Sequence, residues 1–269
     1  MKNILSTSEF IALLEKICED MESAGEKLGE LDAACGDGDL GMNVKLGFKA
    51  VRENLPVSGS GVTDQSRGWI FEDGTRLRPR ATTGKQSSSR SVRPGVPGRA
   101  WAGRPSPSTD AALLPEDIGA ILIKSGLVFG KAGASTFGAL LSTAFIRAGG
   151  KVKGLNEIGL NNIFEMVKAA GEGIMERGKA CPGERTMLDA MIPAQEAIAR
   201  SRLENKTLKE ALEAAATAAE KGADLTAGMK ARHGRAGWLA ERSKNIPDAG
   251  AKAIAFLFRA AAKHVQAEG

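Results

Sequence analysis

The sequence predicts an all-α domain of about eight helices. Apolar residues recur at three- and four-residue spacing along most of the chain, which is typical of amphipathic helices. Val and Ile never alternate with polar residues over the length of a strand, and the chain has no Tyr and few other aromatic residues. The predicted helices cover residues 7–27, 41–55, 116–130, 135–149, 157–178, 186–203, 207–232 and 248–266.

Capping signals mark several helix starts. Ser6 and Glu9 have the spacing of a capping box at the start of the first predicted helix. Thr207 and Glu210 have the same spacing at the start of the seventh predicted helix. Asp248 precedes the eighth helix and is expected to be its N-cap. The N-terminus therefore reads as a helix and not as a signal peptide. No apolar run approaches the roughly 18 residues of a membrane span, so no membrane association is expected.

One segment, residues 58–112, differs from the rest. It holds five of the ten prolines and eight Arg and one Lys against four acids, a net charge of +5. We predict a disordered insertion between helices 2 and 3 of an otherwise single domain, 1–269. The remaining chain balances at 28 basic and 28 acidic residues, so nucleic-acid binding is not expected of the folded part. The insertion itself stays open as an inert or aberrant segment, as a basic arm that touches nucleic acid or a membrane surface, or as a segment that prevents folding.

The cysteines and histidines give no catalytic pattern. Three cysteines, an odd number without metal-ligand spacing, fit a reducing cytosol, so a cytoplasmic protein is predicted. Cys35 is interpreted as a small packing residue. His233 is expected to be structural and His264 solvated.

An acidic, Gly-rich run is the most informative local feature. Asp32, Asp37 and Asp39 lie within eight residues, and such close carboxylates repel one another unless a positive charge lies between them. Oxygen ligands on a Gly-rich turn suit Mg²⁺, which usually accompanies phosphate. The three residues are therefore candidate metal ligands, with an acidic surface turn as the alternative.

The order of the helices predicts where the unusual loops meet. If successive helices are antiparallel, the connections after helices 1, 3, 5 and 7 share one end of the domain. These connections are Leu31–Leu40, Gly130–Ser135, Gly178–Arg185 and Arg235–Pro247, and all four are rich in Gly or charge. The insertion follows helix 2, so it is expected at the opposite end.

The loops before helices 2 and 4 offer polar groups for an anion. Asn43 adds an amide one turn after the acidic run. Ala134, Ser135 and Thr136 open helix 4, where free N–H groups favour phosphate oxygens. Close packing of small residues between helices is the alternative interpretation.

The other two loops offer contacts of a different kind. Gly178 allows close approach of a ring, and Met187 is an adaptable apolar contact for a base or, alternatively, a core residue. Arg235 is a candidate phosphate ligand with catalytic effect. Asp248 is a helix N-cap in preference to a ligand, and its neighbours Ala249 and Gly250 are candidate ribose contacts.

Together these loops resemble the nucleotide-binding L subunit, or DAK2-type domain, of dihydroxyacetone kinases. The matching pieces occur in family order: Gly36-Asp-Gly-Asp-Leu-Gly-Met-Asn43, Gly133-Ala-Ser135, Arg177-Gly-Lys179, Pro182-Gly-Glu-Arg-Thr-Met-Leu-Asp-Ala190, Ala231-Arg-His-Gly-Arg-Ala236, Gly237-Trp-Leu-Ala-Glu-Arg-Ser243 and Asp248-Ala-Gly-Ala251. They span nearly the whole chain outside the insertion.

The resemblance implies an antiparallel eight-helix barrel that binds ADP or ATP with two Mg²⁺ at one rim. Asp32, Asp37 and Asp39 match the metal ligands of the family. The residues that match its nucleotide contacts are Leu40, Gly41, Met42, Asn43, Ala134, Ser135, Gly178, Met187, Arg235, Asp248, Ala249 and Gly250.

The resemblance also implies a partner. In this family the L subunit delivers phosphoryl to a ketose such as dihydroxyacetone, which a K subunit or domain holds covalently through a histidine. The chain has no room for a K domain, so it resembles a stand-alone L subunit that needs a K partner. The donor is either exchanging ATP or bound ADP recharged by a phosphotransferase-system protein, and a homodimer is compatible with either. The competing class is a non-catalytic nucleotide-binding module that docks on a transcription regulator.

Two departures from the family pattern bear on the substrate. Leu40 stands where many members have His, and Thr136-Phe137 replaces the usual Gly-Pro after Ala-Ser. Related L subunits serve kinases of tetruloses and other ketoses, so the ketose stays open.

Overall fold

The computed structural model describes residues 3–56, 117–233 and 245–265. All of them belong to one compact unit of the chain, residues 1–60 and 116–269. The predicted insertion at 58–112 and Arg235 lie outside the described residues. Their assignments therefore stay predictions.

The all-α prediction is confirmed, and each predicted helix is present. The helices are α1 (Thr7–Cys35), α2 (Leu40–Glu53), α3 (Ile118–Ala132), α4 (Thr136–Lys151), α5 (Leu160–Gly178), α6 (Leu188–Leu203), α7 (Leu208–Leu225) and α8 (Ala249–His264).

The helices form a closed ring of antiparallel neighbours. Each helix packs against the next one in sequence, and α8 packs against α1. Across the closing pair, Asp20 of α1 binds Lys263 near the end of α8, whereas Lys27 lies over the ring of Phe256, two turns earlier in α8. The later residue of α1 thus contacts the earlier residue of α8, so the two helices are antiparallel. The ring therefore brings every odd-numbered helix end and every even-numbered helix start to one rim.

Capping side chains fix the helix starts as the sequence predicts. Complete capping boxes form between Ser6 and Glu9 and between Thr207 and Glu210. Asp248 accepts a hydrogen bond from the backbone N–H of Ala251 at 2.8 Å, which confirms it as the N-cap of α8. These side chains satisfy N–H groups that have no acceptor inside the helix.

Three details correct the predicted elements. A short antiparallel pair, β1 (Ile4–Ser6) and β2 (Glu157–Gly159), joins the N-terminus to the start of α5, which therefore begins after residue 159. Helix α1 continues to Cys35, so Asp32 lies on a helix and not in a loop. Helix α7 ends at Leu225 and is followed by a single 3₁₀ turn, Thr226–Gly228.

His264 is also placed differently from its prediction as a solvated residue. Its Nε2 lies 2.9 Å from an Asp20 carboxylate oxygen, and 21% of its side chain is exposed. The reason is the closure of the ring, which packs the end of α8 against α1.

The core fills the inside of the ring. Large side chains dominate at α2, α3 and α4, where the rings of Phe48 and Phe129 meet edge to face at 5.1 Å between centroids. Small side chains dominate at α7 and α8, where buried alanines allow close helix packing. Among the described residues, no helix is both long and apolar enough to cross a membrane.

Candidate functional site

The three aspartates singled out by the sequence come together at the rim. Asp32 lies in the last turn of α1, Asp37 in the α1–α2 turn, and Asp39 at the N-cap of α2. One carboxylate oxygen from each residue lies within 4.8 Å of the other two, with Asp37 and Asp39 exposed and Asp32 half-buried. The spacing and the oxygen chemistry fit a hard divalent cation such as Mg²⁺.

Local backbone contacts hold this cluster. The carboxylate of Asp32 accepts a hydrogen bond from the N–H of Leu40 at 3.1 Å, so the end of α1 and the start of α2 are tied together. Asp39 makes no side-chain cap of α2, and Gly38 turns the chain with a φ of +77°. The turn therefore directs carboxylates from both helices toward one point.

The start of α2 divides its predicted nucleotide contacts between two surfaces. Leu40 is 6% exposed and packs its side chain into the core. Gly41 faces α1, and a Cβ there would stand 2.1 Å from the carbonyl oxygen of Gly25. Met42 is 61% exposed, and Asn43 donates from its amide to the Asp39 carbonyl at 2.9 Å. A ligand above the rim would therefore meet Met42, Asn43 and first-turn N–H groups, but not the Leu40 side chain.

The α3–α4 turn adjoins the start of α2. A Cβ on Gly133 would stand 3.0 Å from the Asn43 carbonyl oxygen. Ser135 is the N-cap of α4 and accepts a hydrogen bond from the N–H of Gly138 at 3.1 Å. Ala134 and Thr136 are exposed on either side of it. First-turn N–H groups of α4 therefore open toward the rim, where an anion is favoured.

The α5–α6 loop is held by a buried carboxylate. Asp189 is 5% exposed and accepts hydrogen bonds from the N–H groups of Gly183 and Thr186, the second at 2.7 Å. Met187 is 4% exposed and belongs to the core cluster. At the other end of the loop, a Cβ on Gly178 would stand 3.3 Å from the Leu140 side chain. Both predicted base contacts thus also pack against neighbouring helices.

The start of α8 meets both of these loops. A Cβ on Gly250 would stand 3.7 Å from the ring of Phe137 and 3.8 Å from Met187 Cβ. Burial raises the pKa of the Asp248 carboxyl to about 6, and the negative charges of Asp189 and Asp32 act in the same direction. The hydrogen bond from Ala251 and the charge of Arg185 oppose this rise. The α8 N-terminus is therefore part of the same charged rim as the metal-ligand candidates.

Arg185 is a rim residue that the sequence analysis did not single out. Arg185 is 4% exposed, and its backbone has a φ of +61°. Its guanidinium donates a hydrogen bond to the carbonyl oxygen of Ile246 at 2.9 Å. Burial raises the pKa of the Cys35 thiol, and the nearby Arg185 charge acts against that rise. The one local signal was its place in a run that matches the family. Its burial depends on a contact with Ile246, which is 61 residues away in sequence.

These contacts bring three of the unusual loops and the start of α8 to one rim, as helix parity predicts. Of the fourth loop, 235–247, the structure describes only residues 245–247. The described candidate residues all lie on or next to this rim. They are Asp32, Asp37, Asp39, Leu40, Gly41, Met42, Asn43, Ala134, Ser135, Thr136, Gly178, Met187, Asp248, Ala249 and Gly250. Arg235 falls between His233 and Asn245, outside the described part of the chain.

A closed ring of antiparallel helices with an acidic rim defines the class of domain. The chain belongs to the DAK2-domain family, whose model matches residues 108–263. The three aspartates precede the matched range, so their grouping is a separate observation of this structure.

Known proteins of this class fall into short and long forms. The chain is 28% identical over 255 residues to the ADP-binding subunit DhaL of the PEP-dependent dihydroxyacetone kinase of Escherichia coli K12, covering 95% of each chain. It is 30% identical over 248 residues to the D-erythrulose kinase of Mycolicibacterium smegmatis, but covers 34% of that longer protein. Among solved structures, the dihydroxyacetone kinase of C. freundii in complex with AMP-PNP and Mg²⁺ matches 94% of this chain and 33% of its own, with a TM-score of 0.55 and 20% identity.

Proposed function

We propose that this protein is the nucleotide- and Mg²⁺-binding phosphotransferase subunit of a dihydroxyacetone or related ketose kinase. The observation that carries the proposal is the grouping of Asp32, Asp37 and Asp39 at a rim onto which helices α2, α4, α6 and α8 all open. Carboxylates for a cation and helix N-termini for an anion then lie side by side, as a metal–nucleotide complex requires.

The carboxylate cluster would hold Mg²⁺. Bound Mg²⁺ neutralises charge on the phosphates of the nucleotide. The protein's part is to keep three mutually repelling carboxylates within reach of one another, which the Asp32–Leu40 hydrogen bond and the Gly38 turn accomplish. Two Mg²⁺ ions are proposed from the family resemblance.

The turn before α4 would bind phosphate oxygens. Gly133, two residues before the N-cap Ser135, lies against Asn43. Hydrogen bonds from Ser135 and the first-turn N–H groups of α4 would stabilise charge that develops on a transferring phosphoryl group. Arg235 is proposed as the cationic contact to the same group. Met187 and Gly178 would border the base, and Ala249 and Gly250 the ribose.

The acceptor is proposed to be a hydroxyl of a ketose presented by a K subunit. In the transfer, the bond from the terminal phosphorus to its bridging oxygen would break and release ADP, while a bond to the ketose oxygen would form and the hydroxyl proton would pass to water. The E. coli relative supports this arrangement because it is an ADP-binding subunit of nearly the same extent. The D-erythrulose kinase, of which this chain covers about a third, supports a domain of this kind within a longer kinase.

Calorimetric titration with ADP and with ATP, each with and without Mg²⁺, tests the proposal. We expect saturable binding that depends on Mg²⁺, and tighter retention of ADP than of ATP if a phosphoprotein recharges the bound nucleotide. Mixing the loaded protein with a K subunit, phosphoryl donor and dihydroxyacetone or erythrulose should then yield the ketose phosphate. A folded, nucleotide-free protein that binds neither nucleotide would overturn the proposal.

A further inference from the structure

Two adjacent residues of the α5–α6 loop hold the chain on both sides of residues 234–244. Glu184 accepts from His233 or pairs with it at 2.7 Å, and lies 3.4 Å from the guanidinium of Arg232. The N–H of Arg232 also donates to the Glu184 carbonyl at 3.4 Å. Arg185 donates to the Ile246 carbonyl at 2.9 Å. One dipeptide is thus fastened to two segments that are 13 residues apart in sequence.

The loop that carries this dipeptide is itself held in place. Asp189 accepts from the N–H groups of Gly183 and Thr186, which flank the dipeptide. The carboxylate of Glu184 accepts from the N–H of Cys181 at 2.8 Å. Because both ends of the loop are bonded within the loop, the Glu184 and Arg185 side chains have a fixed base from which to reach the neighbouring segment.

The segment that Arg185 holds leads directly into the predicted ribose contacts. Ile246 lies two residues before Asp248, whose N–H donates to the Thr226 hydroxyl at 2.7 Å. Gly250 then lies against Phe137 in the first turn of α4, where the predicted phosphate contacts lie, and against Met187, the predicted base contact directly before α6. A shift of the 246–250 backbone would therefore change the distance between three sets of predicted nucleotide contacts.

We propose that Glu184 and Arg185 are positioning residues that hold the start of α8 and residues 232–233 against the α5–α6 loop in the geometry that the nucleotide requires. The inference rests on the proposed nucleotide-binding function and deepens it. When these contacts form before the nucleotide binds, the loops need not become ordered on binding. The affinity for the nucleotide is then higher, because no binding free energy is lost to that ordering. Arginine suits this role because its planar guanidinium stays charged when buried and has several donors.

The test compares Arg185→Gln, Arg185→Lys and Glu184→Gln with a matched control, Arg259→Gln. Arg259 lies on α8 and holds it to α7 through Glu220 and Glu213 at 2.7 Å, so its loss weakens helix packing without touching the α5–α6 loop. Two readouts are taken below the unfolding transition. One is amide hydrogen exchange over residues 245–251 without ligand, and the other is the Mg²⁺-dependent affinity for ADP.

We expect Arg185→Gln to raise exchange over 245–251 and to weaken ADP binding tenfold or more, with partial recovery in Arg185→Lys. Glu184→Gln should raise exchange near residues 232–233 and weaken binding less. Arg259→Gln should lower the melting temperature but leave ADP affinity within about twofold. If Arg185→Gln does not fold, Arg185→Lys and Glu184→Gln carry the test.

Two results would overturn the inference: unchanged exchange and affinity in folded Arg185 and Glu184 variants, or an equal loss of affinity in Arg259→Gln. The proposed function fails in a different way, because the wild-type protein itself would then bind no ADP. In that case the exchange measurement still decides whether Arg185 holds the start of α8.

Discussion

Gly41 of α2 lies directly against Gly25 of α1. A Cβ added to Gly41 would stand 2.1 Å from the Gly25 carbonyl oxygen, closer than any real contact of this kind. Gly41 lies two residues after Asp39, and Gly25 lies seven residues, or about two turns, before Asp32. The contact therefore sets how closely the two helices that carry the metal-ligand candidates approach each other.

Replacing Gly41 with alanine is expected to push α2 away from α1. Overpacking of this kind costs roughly 1–3 kcal/mol of unfolding free energy. Because Asp39 moves with α2, the affinity for Mg²⁺ should fall as well. Urea denaturation and a calorimetric Mg²⁺–ADP titration measure the two effects.

Gly150→Ala is the control for this substitution. Gly150 lies in the last turn of α4, and a Cβ there would meet nothing within 4 Å. Alanine should leave the stability unchanged or raise it by up to about 1 kcal/mol, since it is the better helix former. Equal effects of the two substitutions would contradict the packing argument.

The metal assignment is tested by Asp37→Asn. Removing one charge from three close carboxylates relieves repulsion, so the folded protein should be at least as stable as the wild type. Mg²⁺-dependent nucleotide binding should be lost, because a hard cation loses a charged oxygen ligand. Thermal unfolding and calorimetry of the same sample separate the two effects.

Glu30→Gln makes the same change of charge on the exposed surface of α1, outside the cluster. It should leave the nucleotide affinity within about twofold. Wild-type affinity in Asp37→Asn would rule out Asp37 as a metal ligand.

The raised pKa of Asp248 predicts a specific pH dependence of stability. Its folded-state pKa of about 6 exceeds the ordinary value of 3.8, so the folded protein holds this proton more tightly than the unfolded chain does. The protonated carboxyl therefore stabilises the folded protein fully below pH 3.8, and this contribution is lost as the pH rises through 6. Asn keeps the capping oxygen without the charge. We expect Asp248→Asn to gain stability relative to the wild type as the pH rises from about 4 to 7, by up to about 3 kcal/mol.

Denaturant titrations of nucleotide-free protein at several pH values measure this difference. Asp248→Ala should show the same pH trend as Asp248→Asn. Its unfolding free energy should be lower by about 1 kcal/mol at every pH, because the cap of α8 is lost. A difference between Asp248→Asn and wild type that does not change with pH would show that burial does not perturb this carboxyl.

Deletion of residues 58–112 should leave nucleotide binding intact. Helix α2 ends at Glu53 and α3 begins at Ile118, and both of these helix ends lie at the end of the ring opposite the acidic rim. The deletion also removes a net charge of +5. Any binding of the full chain to a polyanion should therefore weaken steeply with salt and disappear in the deletion variant.

Both proteins, the full chain and the deletion variant, are titrated with Mg²⁺–ADP by calorimetry. Their affinity for heparin, a polyanion, is measured over a series of salt concentrations. Lost nucleotide binding in a deletion variant that circular dichroism shows to be helical would contradict the separation of the two ends. Equal heparin binding before and after deletion would exclude the Arg-rich segment as a nucleic-acid arm.

The eight helices of the described residues were predictable from the sequence, as were the caps at Ser6, Thr207 and Asp248 and the end of the domain at which the unusual loops lie. These features follow from local information, because helical periodicity and capping boxes extend over a few residues, and short connections make neighbouring helices antiparallel. The carboxylate cluster could also be predicted from the sequence, because Asp32, Asp37 and Asp39 lie within eight residues of one another.

The features that depend on contacts between distant residues could not be predicted from the sequence. The pairing of Ile4–Ser6 with Glu157–Gly159 and the hydrogen bond between His264 and Asp20 join opposite parts of the chain. The burial of Arg185 likewise depends on Ile246 in a separate loop. No local pattern encodes such contacts, because they form only when the ring closes and each charged group must find a partner away from water.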